Sequence, residues 1–127
     1  MTRKDVIEML KDYEGTNAPL MLIGADLSGL DLSGLDLSRA KLNNADLSGA
    51  KLIGTNLKGA DLSSADLSDA NLSGADLKGA DLGSADLSCS DLSGANLERA
   101  YLSCAIISGA KLNCVNLTGA NLECLTM

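Results

Sequence analysis

The chain has 127 residues, a formal net charge of −7, a pI of about 4.3, two Tyr, and no His, Phe or Trp. Without histidine, Ser-His-Asp and Cys-His catalysis and imidazole metal ligation are excluded, and the acidic balance argues against direct nucleic-acid binding through phosphates, which needs clustered Lys and Arg. No apolar run approaches the roughly 18 residues of a membrane helix.

The N-terminal stretch predicts a helix over residues 2–14. Thr2 stands in capping position with Asp5 three residues on, and Val6, Ile7, Met9, Leu10 and Tyr13 recur at helical spacing before Gly15 ends the pattern. Its start, Met1-Thr2-Arg3-Lys4-Asp5, leads into an acidic helix pattern and not an apolar signal region, so a soluble cytoplasmic protein is expected. Residues 16–19 read as a hinge and 20–24 as a degenerate first repeat. The expected organisation is a single domain: a capping helix and hinge over 1–19, and a repeat body over 20–127.

From residue 25 one five-residue unit is written twenty times without a slip, its last Leu at 122, with Leu at the third place of every unit except for Ile107. The residue two before that Leu is Ala in most units, and the residue between them is Asp, Asn or Lys in eighteen of twenty. On an extended backbone this alternation sends Ala and Leu inward and the middle residue outward. The last two places, most often Ser-Gly, form the bend. One such unit cannot bury its own Leu, and strict self-similarity at a fixed period predicts a stacked solenoid. Burying a Leu contributes roughly 1.5–3 kcal/mol, whereas ordering each residue costs about 1.5 kcal/mol. Backbone ladders between coils must therefore carry part of the stability.

The pattern A(D/N)LxX resembles that of the pentapeptide-repeat proteins, over about four fifths of the chain. The resemblance implies an all-β solenoid, a right-handed quadrilateral parallel β-helix with four units to a coil, here about five coils behind a short N-terminal capping helix. Because cyanobacteria use the family heavily, it also implies a cyanobacterial source.

Glycine is periodic and forms no phosphate-cradling loop, and the many carboxylates lie on a convex surface. No catalytic, cofactor-binding or metal-binding residue is therefore assigned, and no enzymatic activity is expected. Cys89, Cys104, Cys114 and Cys124 all take the fifth place of their units, at corners. Only Cys104 and Cys124 share a face, so four thiolates cannot converge on zinc, and free corner thiols are expected.

Counting by twenty stacks Asp26, Asp46, Asp66 and Asp86 on one face with Asp69 beside them. This acidic stripe is the candidate interaction surface. Neighbouring carboxylates about 4.8 Å apart repel by somewhat under 1 kcal/mol in water. The opposite face mixes Arg39, Lys58, Lys78 and Arg99 with Asp36, Asp76 and Glu98, and reads as solvated pairs. Near the C-terminus the outward residues become Tyr101 and Ile106, and the chain runs to Leu125-Thr126-Met127 with no helix over the last coil. Tyr101, Ile106, Leu125 and Met127 are the candidate dimer end, and a two-fold tail-to-tail homodimer is expected.

The function expected is a non-enzymatic structural or protein-interaction module, an acidic rod with a protein partner and no membrane contact. Two alternatives remain open. The resemblance extends to family members that mimic DNA and bind gyrase, and the regularity suits an engineered or shortened repeat scaffold.

Overall fold

The computed structural model describes residues 1–127. Helix α1 spans Arg3–Tyr13, capped as its sequence predicts. Asp5 N–H donates to Thr2 Oγ1 at 3.2 Å, and Thr2 N–H donates to Asp5 Oδ2 at 2.8 Å. The helix ends at Glu14, and Gly15 follows at φ +76°. Val6 is fully buried, and Met9, Leu10 and Tyr13 pack on the core beneath it. The apolar face of α1 thus lies over the first coil.

Arg3 fastens this cap in a way the apolar spacing does not reveal. Its guanidinium donates to the Asp31 carbonyl at 2.8 Å and to the Ser33 carbonyl at 3.2 Å. One coil later, the equivalent carbonyls of Lys51 and Ile53 accept from Leu32 and Gly34 N–H. Arg3 therefore supplies the donors that a preceding coil would have supplied.

From Met21 to Thr126 the outward middle residues pair in parallel with the residue twenty places on, as in Asp26 with Asp46 and Asp46 with Asp66. Four units separate partners, so the coil has four sides. Each contributes one bridged residue and then turns, because a five-residue side leaves no room for a continuous strand. The fifth place needs left-handed backbone. Glycine fills it at half of the corners, but Arg39, Asn44, Ser64, Asp69, Ser84, Arg99 and the four cysteines hold φ between 56° and 61°. Each of these accepts a cost of roughly 1 kcal/mol relative to glycine.

The interior is a Leu column beside an Ala column. Leu27 to Leu97 are at most 1% exposed, and most of the Ala positions match them. Where the Ala place holds a polar residue, its hydroxyl is satisfied: Thr55 Oγ1 donates to Leu32 O at 3.0 Å and Ser90 Oγ to Leu87 O at 2.7 Å.

Burial differs along the column, and the cost of truncation should follow it. Leu72→Ala, at a fully buried site, is expected to cost about 2–5 kcal/mol in denaturant unfolding. Leu117→Ala, whose site is 37% exposed, should cost less than half of that. Equal losses would contradict the graded core.

Candidate functional site

The outer surface consists of four ladders, and what each presents follows from the middle residue of its units. In every unit that has Asp or Asn there, the side-chain Oδ1 accepts the backbone N–H two residues on, as in Ser28 to Asp26, Lys58 to Asn56 and Ser68 to Asp66. Where the fourth place is Ser, its hydroxyl often reaches the same oxygen, at 2.6 Å for Asp46, Asp66 and Asp86. The outward carboxylates are therefore structural acceptors as well as surface charges. From sequence they read as surface charge alone; the signal for the bond is Asp or Asn two places before the bend, whatever residue stands there, an Asx-turn pattern.

Asp26, Asp46, Asp66 and Asp86 do form one continuous ladder, with Asp69 at the adjoining corner. Each fourth place on this side is Ser, and no Lys or Arg lies on its repeats. The column ends in Ile106 and Thr126. The opposite face is self-compensating. Asn56 Nδ2 donates to Asp36 Oδ1 at 3.1 Å and Asn96 Nδ2 to Asp76 Oδ1 at 3.4 Å. Lys58 pairs with Asp76 at 3.4 Å and Lys78 with Glu98 at 3.5 Å. These exposed pairs contribute little to stability, but they leave the two faces different in charge.

The C-terminal end differs from the rest of the cylinder. Leu112, Leu117 and Leu122 are 39%, 37% and 42% exposed, whereas Leu92, Leu97 and Leu102 directly above them are 0%, 1% and 2% exposed. Backbone N–H groups of Gly109, Leu112, Cys114, Leu117, Gly119, Leu122 and Cys124 donate no backbone bond, although their counterparts one coil earlier all do. A dimple of about 150 Å³ opens here, lined by Leu, Ile and Met alone. Of the four residues assigned to this end from sequence, Met127 lies on it at 87% exposed and Leu125 packs half-buried against the core. Tyr101 and Ile106 are exposed on two side ladders, one coil back. The three leucines were read as core because their spacing is that of the core; within residues 1–127 no further coil stacks on them.

A wider groove of about 620 Å³ separates α1 from the first coil. Its rim mixes Lys11, Glu14, Asp36 and Arg39, and Arg39 is already engaged with the Asn17 carbonyl at 3.1 Å. The four cysteines are exposed free thiols at their corners.

Local bonds also set the acid behaviour. The Ser28 hydroxyl, and next its N–H, hold the Asp26 carboxyl below its ordinary value, and Ser93 does the same for Asp91. For Asp31 the Ser33 N–H is the leading cause. A folded pKa below the unfolded one gives stability that is present above the unfolded carboxylate value of about 3.9 and is lost as pH falls through the folded value. Two predictions follow from this geometry. The melting temperature should fall below about pH 4. At neutral pH, Asp46→Asn with Asp66→Asn should hold or raise it, since Asn keeps the acceptor and removes charge, whereas Asp46→Ala should lower it by about 3–6 °C. A double Asn variant as damaged as the Ala variant would show that charge, and not the acceptor, matters.

Comparison with known proteins agrees with this geometry. The family pattern described as pentapeptide repeats matches in 8 copies, over residues 22–59, 45–83, 55–94 and 90–123. Among solved structures, a pentapeptide repeat protein of the Arabidopsis thaliana thylakoid lumen is 39% identical at a TM-score of 0.53, covering 78% of this chain and 66% of its own. HetL from the cyanobacterium Nostoc, involved in heterocyst differentiation regulation, is 37% identical at a TM-score of 0.50, covering 87% of this chain and 58% of its own. A further Nostoc pentapeptide repeat protein is 44% identical at a TM-score of 0.51, covering 67% and 62%. The chain thus spans between 58% and 66% of the length of these relatives. No curated protein sequence matches it, and no helix is long and apolar enough to cross a membrane. With the repeat pattern matched over most of its length and a ladder register of twenty residues, the chain belongs to the pentapeptide-repeat family.

Proposed function

We propose that the protein is a non-enzymatic interaction module, a rigid acidic rod whose first partner is a second copy of itself at the last coil. The open C-terminal face supports this reading above all other observations. It presents Leu112, Leu117 and Leu122 at roughly 40% exposure within a ring of unpaired N–H groups, and a contiguous apolar patch of this kind marks an interaction site. The same face also carries the carbonyls of Ala110, Val115 and Ala120, which no N–H reaches. It therefore holds both donors and acceptors about an apolar centre, as a self-complementary two-fold contact requires. The helical caps would lie outermost and the acidic ladders would remain free.

Sedimentation under reducing conditions at tens of micromolar tests this. A dimer is expected, and Leu117→Asp or Leu125→Asp should return it to monomer while the folded signal remains. A monomer in the unaltered chain, unchanged by either substitution, would overturn the dimer.

One observation favours a second reading, DNA mimicry toward gyrase. The column Asp26, Asp46, Asp66, Asp86 carries no cation, and a regular line of negative charge is what a DNA-binding groove recognises. Salt-sensitive inhibition of supercoiling, lost in Asp66→Asn with Asp86→Asn, is the result expected of a mimic. Supercoiling left untouched at low salt would remove this reading and leave the scaffold.

A further inference from the structure

We propose that Cys104 and Cys124 form a redox modification site, at which an oxidant of the peroxide class joins them in a reversible disulfide that fastens the last coil to the one before it. Register brings the pair together. Cys104 N–H donates to Glu123 O at 2.8 Å in the corner ladder, so Cys124 lies one coil below Cys104, and both hold the same left-handed backbone, at φ 58° and 60°. Stacked residues are about 4.8 Å apart, inside the Cα range of disulfides, about 4.4–6.8 Å.

Side-chain direction supplies the second observation. Corner side chains lean toward the following coil: a Cβ placed on Gly109 would lie 3.2 Å from Cys89 Sγ, one on Gly119 3.3 Å from Arg99 Cγ, and one on Gly59 3.6 Å from Arg39 Cγ. At Cys104 that same lean meets a cysteine. The neighbouring Cys124 thiol is the leading reason that the Cys104 thiol is pushed above its ordinary pKa. The other thiols have no such mate, since the coil after Cys89 offers Gly109 and the coil before Cys114 offers Gly94. Stacked Cβ atoms must draw closer to reach the usual disulfide separation of about 3.8 Å. Within residues 1–127 the Leu122 and Cys124 N–H groups donate no backbone bond, so fewer ladder bonds oppose that approach here than one coil earlier.

The chemistry balances within the pair and the oxidant. One thiolate attacks the peroxide O–O bond, which breaks to give a sulfenic acid and hydroxide. The second thiolate attacks that sulfur and expels another hydroxide, forming the S–S bond. With the two thiol protons, the sum is one disulfide and two waters. Thiol exchange with a small dithiol reverses it.

The test treats the full reduced chain at low concentration with hydrogen peroxide, blocks remaining thiols by alkylation, and maps peptides by mass. The expected result is a Cys104–Cys124 link within one molecule, with Cys89 and Cys114 alkylated. The melting temperature should rise by several °C and return on adding dithiothreitol. Cys89→Ser with Cys114→Ser should keep both changes, and Cys104→Ser should lose both. Oxidation spread evenly over four thiols, linkage only between molecules, or a link that leaves the melting temperature unchanged or lower would overturn the proposal. The Cys104→Ser control and the low concentration separate the link within one molecule from any effect of dimerisation at the same coil.

Discussion

The fold depends on giving the backbone amides of each five-residue side their hydrogen-bond acceptors. Along the well-formed coils three of the five amides bond neighbouring coils, as Asp46 to Ala25 O, Leu27 to Asp46 O and Gly29 to Ser48 O do, and a fourth closes the turn, as Leu30 to Leu27 O. The fifth, on the residue after Leu, points outward and is met by the Asp or Asn side chain two places earlier. A buried Leu in every five residues could not offset the ordering of all five. The ladders do so because, in the inner units with Asp or Asn at the middle place, no amide is left without a partner, and an amide so placed would otherwise cost about as much as a lost hydrogen bond.

This constraint explains the narrow alphabet of the repeat and how the surface is built. Asp and Asn are interchangeable as acceptors, so the choice between them sets face charge without touching the frame. One face is a run of carboxylates, while its opposite interleaves Asn with Asp and adds Lys. The same constraint governs the ends. At the N-terminal end, Arg3 and helix α1 stand in for the missing coil. At the C-terminal end nothing in this chain does, and the exposed leucines and unpaired donors appear together. Both proposed properties, self-association and a thiol clip on the last coil, arise where the ladder stops.

Much of this was legible in the residues. Period five with Leu in all but one unit identified the solenoid, and Thr2 with Asp5 identified the cap. Stacking by twenty placed Asp26 over Asp46 and Cys104 over Cys124. Three things were not legible from periodicity. Alternation says that Asp66 points outward but not that its Oδ1 turns back onto Ser68 N–H, because a local bond of that kind leaves no hydrophobic trace. Leu117 has the same pattern as Leu97, and its exposure depends on what lies beyond it in space. Arg3 bonds carbonyls some thirty residues away, a contact set by how the helix seats on the coil.

Native-state amide hydrogen exchange tests the central claim most directly, because the sequence contains its own controls. Ser48, Ser68 and Ser88 N–H donate to an Asp two places earlier. Asn43, Ser103 and Ser108 follow Lys41, Tyr101 and Ile106, which offer no such oxygen. After correction for intrinsic rates, the three amides backed by Asp should exchange markedly more slowly than the other three. Similar protection in both sets would mean that the middle side chain is not the acceptor that completes the coil.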